Sequence, residues 1–176
     1  MVMQRRSFLK LGLMAAAGVA AGGGLYRVLH PAAPGRFTLD GEAHLVLAAI
    51  APAMLGSALA ATEPQRNADI ASLVRGVQLA IAGLPLAQQQ EVQDLFALLA
   101  LAPARRLLVG IKGGWGEASA AQVAAFLQDW RLHRFATLQT AYLALHDLML
   151  GAWYGDARHW AAIGYPGPLP ELSPAP

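Results

Sequence analysis

Apolar residues recur at steps of three and four through most of the chain, which is typical of amphipathic helices. The clearest case is residues 67–82, where Gly83, Leu84 and Pro85 follow as an end signal. Its apolar face consists of Ile70, Leu73, Val74, Val77 and Ile81. An earlier helix could be capped by Thr38 or Asp40, and Pro52 inside it predicts a kink or a break just before the proline. The predicted buried side of this first helix comprises Leu45, Val46, Ala49, Ile50, Met54 and Leu59.

A third helix is predicted from Leu86 onward, and Pro103 interrupts it before a short fourth helix over residues 104–109. The apolar face of the third helix carries Val92, Leu95, Phe96 and Leu99. Residues 110–116 contain four glycines and predict a loop with Trp115 packed beneath it. This loop lacks the Lys-Ser or Lys-Thr ending of a phosphate-binding loop, and no predicted strand precedes it.

Two further helices are predicted after this loop. Ser119 caps the first, and its apolar face is Val123, Phe126, Leu127 and Trp130. After a break near His133, the longest amphipathic pattern of the chain predicts a central helix. Its apolar positions are Phe135, Leu138, Tyr142, Leu145, Met149 and Ala152.

The predicted fold is all-α, a compact domain of about five to six helices over residues 38–165, because no segment shows the period-two alternation of a strand. Residues 153–165 are rich in aromatic side chains, and prolines and glycines there and in the tail, residues 166–176, predict irregular structure. Such a segment is expected to lie against something, because large aromatic side chains on extended chain are not stable alone in water.

The N-terminal segment has the layout of a bacterial export signal, with a cationic end before an apolar run. Arg5, Arg6, Phe8, Leu9 and Lys10 match the twin-arginine (Tat) pattern, although a glutamine precedes them where serine or threonine is usual. We therefore predict a Tat signal or membrane anchor over residues 1–30, a linker over residues 31–37, and a periplasmic, membrane-associated protein. The alternative is an ordinary membrane anchor with two chance arginines.

The fate of this leader is open at the sequence level. Residues 19–21 offer small side chains but not a clean cleavage site. If it is not cleaved, the apolar run over residues 11–29 is nearly long enough to span a bilayer, which takes about 20 residues. Cations before the run would then lie in the cytoplasm and the domain outside.

Charge and composition exclude several classes of site. Three of the 13 Lys and Arg precede the apolar run, which leaves ten cations against 11 carboxylates and no basic patch for nucleic acid. The chain has no cysteine, which excludes disulfides, thiolate metal sites, iron–sulfur clusters, covalently attached haem and an acylated lipoprotein cysteine.

The candidate chemistry is sparse. No two of the five histidines lie three or four residues apart, so no helix offers a two-histidine metal edge. His146 and Asp147 are expected to face different sides of a helix and not to form a dyad. His146, Asp147, Asp156 and His159 could meet near the C-terminal aromatics as an enzyme site, but structural hydrogen bonding is the favoured interpretation. We predict no catalytic residue, metal site or cofactor site in this chain.

The C-terminal part resembles the gluconate 2-dehydrogenase subunit 3 family. The matching segments are residues 148–156 (LMLGAWYGD), Trp160 and residues 163–168 (IGYPGP). Residues 125–131 (AFLQDWR) are similar to a tryptophan-bearing helix of that family. The twin-arginine leader, the length and the helical character agree with the same resemblance.

The resemblance implies a non-catalytic small subunit of a membrane-bound dehydrogenase. Its partner would be a large FAD-dependent oxidoreductase of the glucose–methanol–choline type, often joined by a multihaem cytochrome c subunit. The small subunit would supply the signal for the Tat translocase and aid maturation of the flavin subunit. Candidate partner contacts are Trp130, Trp153, Tyr154, Trp160, Tyr165, Pro166, Gly167 and Pro168. A stand-alone, membrane-anchored helical adaptor is the alternative.

Overall fold

The computed structural model describes Leu39 and residues 41–168. The predicted leader, the linker, the caps at Thr38 and Asp40 and the end of the tail lie outside these residues. Five helices form the body: α1 (Gly41–Leu55), α2 (Glu63–Ala82), α3 (Leu86–Ala100), α4 (Ala120–Leu132) and α5 (Ala136–Tyr154). The described residues contain no β-strand. The all-α prediction is thus confirmed.

Short helical turns join and follow these helices. They are Gly56–Ala58, Ala102–Ala104, Arg105–Val109, Trp115–Glu117, Ala157–His159 and Ala161–Ile163. Arg105–Val109 is a π-turn, and Gly110 ends it with a φ of 77°, a left-handed conformation that glycine adopts without steric cost. The predicted fourth helix is therefore two short turns of different winding.

The first helix, α1, lies at the centre of the bundle. It packs against α2, α3, α4, α5 and the Trp115–Glu117 turn. Val46, Leu47, Ile50 and Ala51 on it are completely buried. The prediction that α5 is the central helix is wrong, because α5 packs mainly on α2 and α4 and leaves one side exposed.

The apolar character of α1 has a second consequence. Within the described residues, only Gly41–Ala58 is long and apolar enough to cross a membrane by length and composition, with a mean hydropathy of 1.3. The core helix of a soluble protein has the same character, and α1 packs against the other four helices with 33% of this stretch buried.

Two helix boundaries differ from the predictions. The break expected before Pro52 does not occur, since α1 continues through this exposed proline to Leu55. Helix α2 begins at Glu63 rather than Asn67, with a proline in its first turn, where no backbone N–H is needed. It ends at Ala82, before Gly83, as predicted.

The predicted apolar faces are largely confirmed. Every predicted face residue of α4 is buried, as are four of five on α2, Ile70 being partly buried. Leu45 is an exception and is 41% exposed, because Leu47 lies about 200° around the helix from it and takes the buried side. Phe135 is also exposed, since it occupies the N-cap position before the first turn of α5.

Two tryptophans hold the glycine-rich loop and the π-turn before it against the core. Trp115 donates its Nε1–H to the carbonyl of Leu99 at 2.9 Å, and Trp130 donates to the carbonyl of Leu108 at 3.0 Å. Phe126 lies edge-on to both rings, with centroid distances of 5.9 and 5.0 Å. The prediction that Trp115 packs beneath this loop is confirmed.

Helix α4 begins directly after Ser119, the residue predicted to cap it. Ser119 Oγ accepts from the Gln122 amide at 3.2 Å, and Gln122 Oε1 accepts from the Ser119 amide at 3.0 Å. This reciprocal pair is a capping box, which satisfies two amides that the helix itself leaves unpaired.

Candidate functional site

The C-terminal segment is ordered by contacts of its aromatic rings with the end of α5. Trp160 donates its Nε1–H to the carbonyl of Tyr154 at 2.7 Å. His159 stacks on Trp153 with ring centroids 3.6 Å apart and an interplanar angle of 14°. Tyr165 lies edge-on to Trp160 at 5.2 Å. The segment thus folds back on the body, as its aromatic content predicts.

Arg158 forms an ion pair with Asp156 inside the same segment and a hydrogen bond that joins this segment to α2. The Asp156 carboxylate accepts from the Arg158 amide at 3.0 Å and from the Arg158 Nε at 2.9 Å. Arg158 also donates through Nη2 to Ser72 Oγ at 2.8 Å, which crosses to α2. The side-chain hydrogen bond from Arg158, followed by the one from its backbone amide, lowers the pKa of Asp156 from 3.8 to about 2.

The residues predicted to contact a partner differ in how far they are buried. Trp130 is 0% exposed and Trp153 is also buried, so neither ring offers surface for a partner to cover. Tyr154, Trp160 and Gly167 are half-buried. Tyr165, Pro166 and Pro168 are exposed and form the outer edge of the segment.

Ile163 also belongs to this outer edge, although it is not among the predicted partner contacts. It is 53% exposed, and Tyr165 is 44% exposed. Both residues flank Gly164, whose φ of 69° turns the chain. The sequence signal that could have identified Ile163 is its position beside the Gly-Tyr-Pro-Gly-Pro run.

His146 and Asp147 are in contact, contrary to the prediction from helix geometry. His146 Nδ1 and Asp147 Oδ1 are 2.9 Å apart on the exposed side of α5. The His146 ring also lies 5.8 Å from that of Tyr142.

The four residues of the hypothetical enzyme site do not converge. Asp156 is hydrogen-bonded to Arg158, and His159 is stacked on Trp153. Asp147 lines one groove, whereas Asp156 and His159 line another. Among residues 39 and 41–168, no group of three His, Asp or Glu side chains has a metal-binding arrangement.

The two grooves lie side by side along α5. The first groove, of about 820 Å³, is bounded by the end of α2, by α3 and by α5. The second groove, of about 480 Å³, lies between α2 and the segment after α5. They share Ala80, Gly151 and Ala152, small residues that keep the space between α2 and α5 open.

The described part of the chain therefore offers two surfaces. One is the exposed apolar edge at Ile163 and Tyr165, held by Trp160 and Arg158. The other is the pair of grooves along α5. Searches against protein families, curated proteins and solved structures found no match for this chain.

Proposed function

We propose that this chain is a non-catalytic small subunit that escorts a large FAD-dependent oxidoreductase through the Tat route. The observation that carries the proposal is the exposed apolar edge at Ile163 and Tyr165 on a segment that is otherwise fixed to the body. An aromatic side chain already held in place loses little conformational entropy when a partner covers it, and such residues often dominate interfaces.

The fixing contacts come from both sides of the segment. Trp160 bonds to α5 through Tyr154, and Arg158 bonds to α2 through Ser72. Gly167 packs closely on Trp160, since a Cβ built on it would lie 3.3 Å from the ring. The exposed edge is therefore a defined surface rather than a loose tail.

The sequence of the leader supports the export half of the proposal. Arg5, Arg6, Phe8, Leu9 and Lys10 match a Tat signal, a route that carries folded proteins. A partner without its own signal would cross with this chain and act in the periplasm at the membrane. FAD would be held by that partner, and haem by a cytochrome c subunit where one is present.

The test is a double substitution in the leader, Arg5→Lys with Arg6→Lys. It preserves the positive charge, so general attraction to the membrane is kept while the twin-arginine motif is lost. We expect the flavin subunit and its dehydrogenase activity to remain in the cytoplasm, with at least a tenfold loss of periplasmic activity. Cell fractionation with immunoblots, flavin absorbance and activity assays measures this.

Arg27→Lys is the matched control, because it makes the same change at a leader arginine outside the Tat motif, and we expect normal export. Unchanged periplasmic activity in the double variant would contradict the escort role. Purification of the exported chain without any flavin-bearing partner would instead favour the stand-alone adaptor.

A further inference from the structure

The π-turn and the glycine-rich loop after it carry cations that no described carboxylate pairs with. Arg106 and Lys112 are both exposed, and Arg106 donates through Nε to the carbonyl of Lys112 at 3.2 Å. Neither forms an ion pair within the described part of the chain. Arg105 is buried and donates through Nη1 to the carbonyl of Ala100 at 3.1 Å, whereas its Nε has no described partner. These contacts leave three positive charges without a carboxylate partner.

The end of α4 adds to this positive surface. Trp130 donates its Nε1–H to the carbonyl of Leu108 at 3.0 Å, which places the last turn of α4 beside the π-turn. Arg131 follows Trp130 in the chain and is exposed. Among residues 39 and 41–168 it has no ion pair. Two stretches of the chain that are distant in sequence therefore bring their cations to adjacent positions.

Carboxylates are absent from both stretches. Residues 95–116 and 130–146 contain no Asp or Glu, although Glu117 and Asp129 border them. The carboxylate of Glu117 bends back over the loop and occupies the space that a Cβ on Gly113 would take. The cations of the two stretches outnumber these bordering carboxylates. The nearly balanced total charge of the domain thus conceals a local excess of positive charge, which attracts anions to this surface.

Two leucines project from the same stretches. Leu107 on the π-turn is 85% exposed, the highest value for a large apolar side chain among the described residues, and Leu132 in the last turn of α4 is 68% exposed. Turns of π geometry often occur at functional sites. The name basic surface is used below for Arg106, Leu107, Lys112, Arg131 and Leu132.

An anionic membrane surface offers what both kinds of side chain require. Lipid phosphates attract Lys and Arg, and apolar side chains enter the acyl layer just beneath the headgroups. A nucleic acid backbone also attracts cations but offers no apolar layer next to its phosphates. Projecting leucines suit a fluid layer, because such a layer does not need a pocket of matching shape.

We infer that the basic surface docks the folded domain on anionic phospholipid. Its three exposed cations lie at the headgroup phosphates, and its two leucines enter the outer part of the acyl layer. This contact is distinct from any attachment through the leader, and it fixes which side of the helical bundle faces the membrane. It does not depend on the flavin-bearing partner, so its failure would leave the proposed function standing.

Fluorescence quenching by lipid tests this contact, and the chain has no cysteine that would compete for the label. Leu107→Cys in the full-length protein carries a nitrobenzoxadiazole group. The matched control carries it at Leu86→Cys, because Leu86 is 78% exposed at the start of α3. The vesicles are phosphatidylcholine alone or a mixture of phosphatidylcholine with anionic phosphatidylglycerol, and their acyl chains bear a nitroxide near the headgroup.

We expect quenching in the anionic vesicles to be at least about threefold greater at position 107 than at position 86, and to be lost at position 107 in phosphatidylcholine alone. Both proteins carry the same leader, so any contact that the leader brings is common to them. Circular dichroism checks that their helix content is equal. Equal quenching at the two positions would overturn the inference, and so would quenching at position 107 that does not depend on phosphatidylglycerol.

The cations have their own test. Lys112→Gln, added to the protein labelled at position 107, should lower the ratio of docked to undocked protein about fivefold, the equivalent of about 1 kcal/mol for one cation near an anionic surface. Arg75→Gln is the matched control, because Arg75 is exposed on α2 and lines the second groove. It should change the ratio less than about twofold. Equal effects of the two substitutions would contradict the placement of Lys112 at the headgroups.

Inorganic phosphate separates a membrane contact from a site for the free anion. At constant ionic strength, millimolar phosphate should leave the quenching at position 107 unchanged, because an isolated anion has no apolar layer to offer Leu107. Loss of quenching on addition of phosphate would reassign the site to a small anion and overturn the membrane contact.

Discussion

Arg158 joins the C-terminal segment to α2 by a hydrogen bond to Ser72. Its guanidinium bonds to Asp156 on one side and to Ser72 of α2 on the other. Asp156 in turn caps the turn Ala157–His159. The ion pair with Asp156 therefore stabilises the local turn, and the hydrogen bond to Ser72 attaches this turn to α2.

This ion pair predicts a dependence of stability on acid. The pKa of Asp156 is lowered from 3.8 to about 2 by its hydrogen bonds to Arg158, so the native state binds fewer protons than the unfolded state. The stabilising effect is complete above about pH 4 and is lost as the pH falls towards 2. In thermal melts between pH 2 and 5, Asp156→Asn should flatten the slope of Tm against pH.

Asp129→Asn serves as the control for this titration, because it removes an exposed carboxylate from a different helix, α4. The control should keep the slope of the parent protein. Identical slopes for the parent and Asp156→Asn would show that the carboxylate has no such role.

Among the helices, α2 and α5 approach each other at small residues. A Cβ built on Gly76 of α2 would lie 3.3 Å from the Cβ of Ala152 on α5. A Cβ on Gly151 would meet nothing within 4 Å, because this residue faces the grooves. The two glycines thus have different roles, one in close packing and the other in keeping a surface open.

The difference predicts opposite responses to alanine. Gly151→Ala should raise the free energy of unfolding by about 0.5–1 kcal/mol, since alanine reduces the backbone entropy lost on folding and fits the open space. Gly76→Ala has the same entropic advantage but crowds Ala152. The free energy of unfolding should therefore rise less than in Gly151→Ala, or should fall. Urea denaturation of both variants measures this, and a larger gain at Gly76 would contradict the observed packing.

At the scale of the whole molecule, the bundle buries α1, whereas the C-terminal segment leaves an apolar edge exposed on the surface. Ile163 and Tyr165 belong to this edge, yet their backbone is held by Trp160 and Arg158. This edge is the surface at which we propose that the partner binds. Asp156 and His159, which precede this edge in the chain, line the second groove.

The proposed partner surface predicts a loss of association without a loss of folding. Ile163→Asp with Tyr165→Asp should reduce recovery of the flavin subunit at least tenfold in affinity purification, since a charge would be buried at the interface. The free energy of unfolding should fall by no more than about 1–2 kcal/mol, because both side chains are about half exposed and Tyr165 loses its edge-on contact with Trp160.

Leu107→Asp is the matched control, because Leu107 is 85% exposed on the π-turn, away from this edge. It should leave recovery of the flavin subunit unchanged. Equal recovery with all three proteins would place the interface elsewhere on the molecule.

Sequence alone determined the features that depend on near neighbours in the chain. The apolar face of α4, the cap at Ser119 and the end of α2 before Gly83 were all predictable, because helix periodicity and capping act within a few residues. The export motif at Arg5 and Arg6 is likewise a prediction from local pattern.

Only the tertiary structure decided which predicted elements share a surface. It placed α1 rather than α5 at the centre, buried Trp130 against Leu108, and separated Asp147 from Asp156 into different grooves. The exposed edge at Ile163 and Tyr165 also depends on Ser72, which lies 86 positions from Arg158 along the chain. Such outcomes follow from the packing of all five helices together, because the side of a helix that becomes buried depends on neighbours distant in sequence.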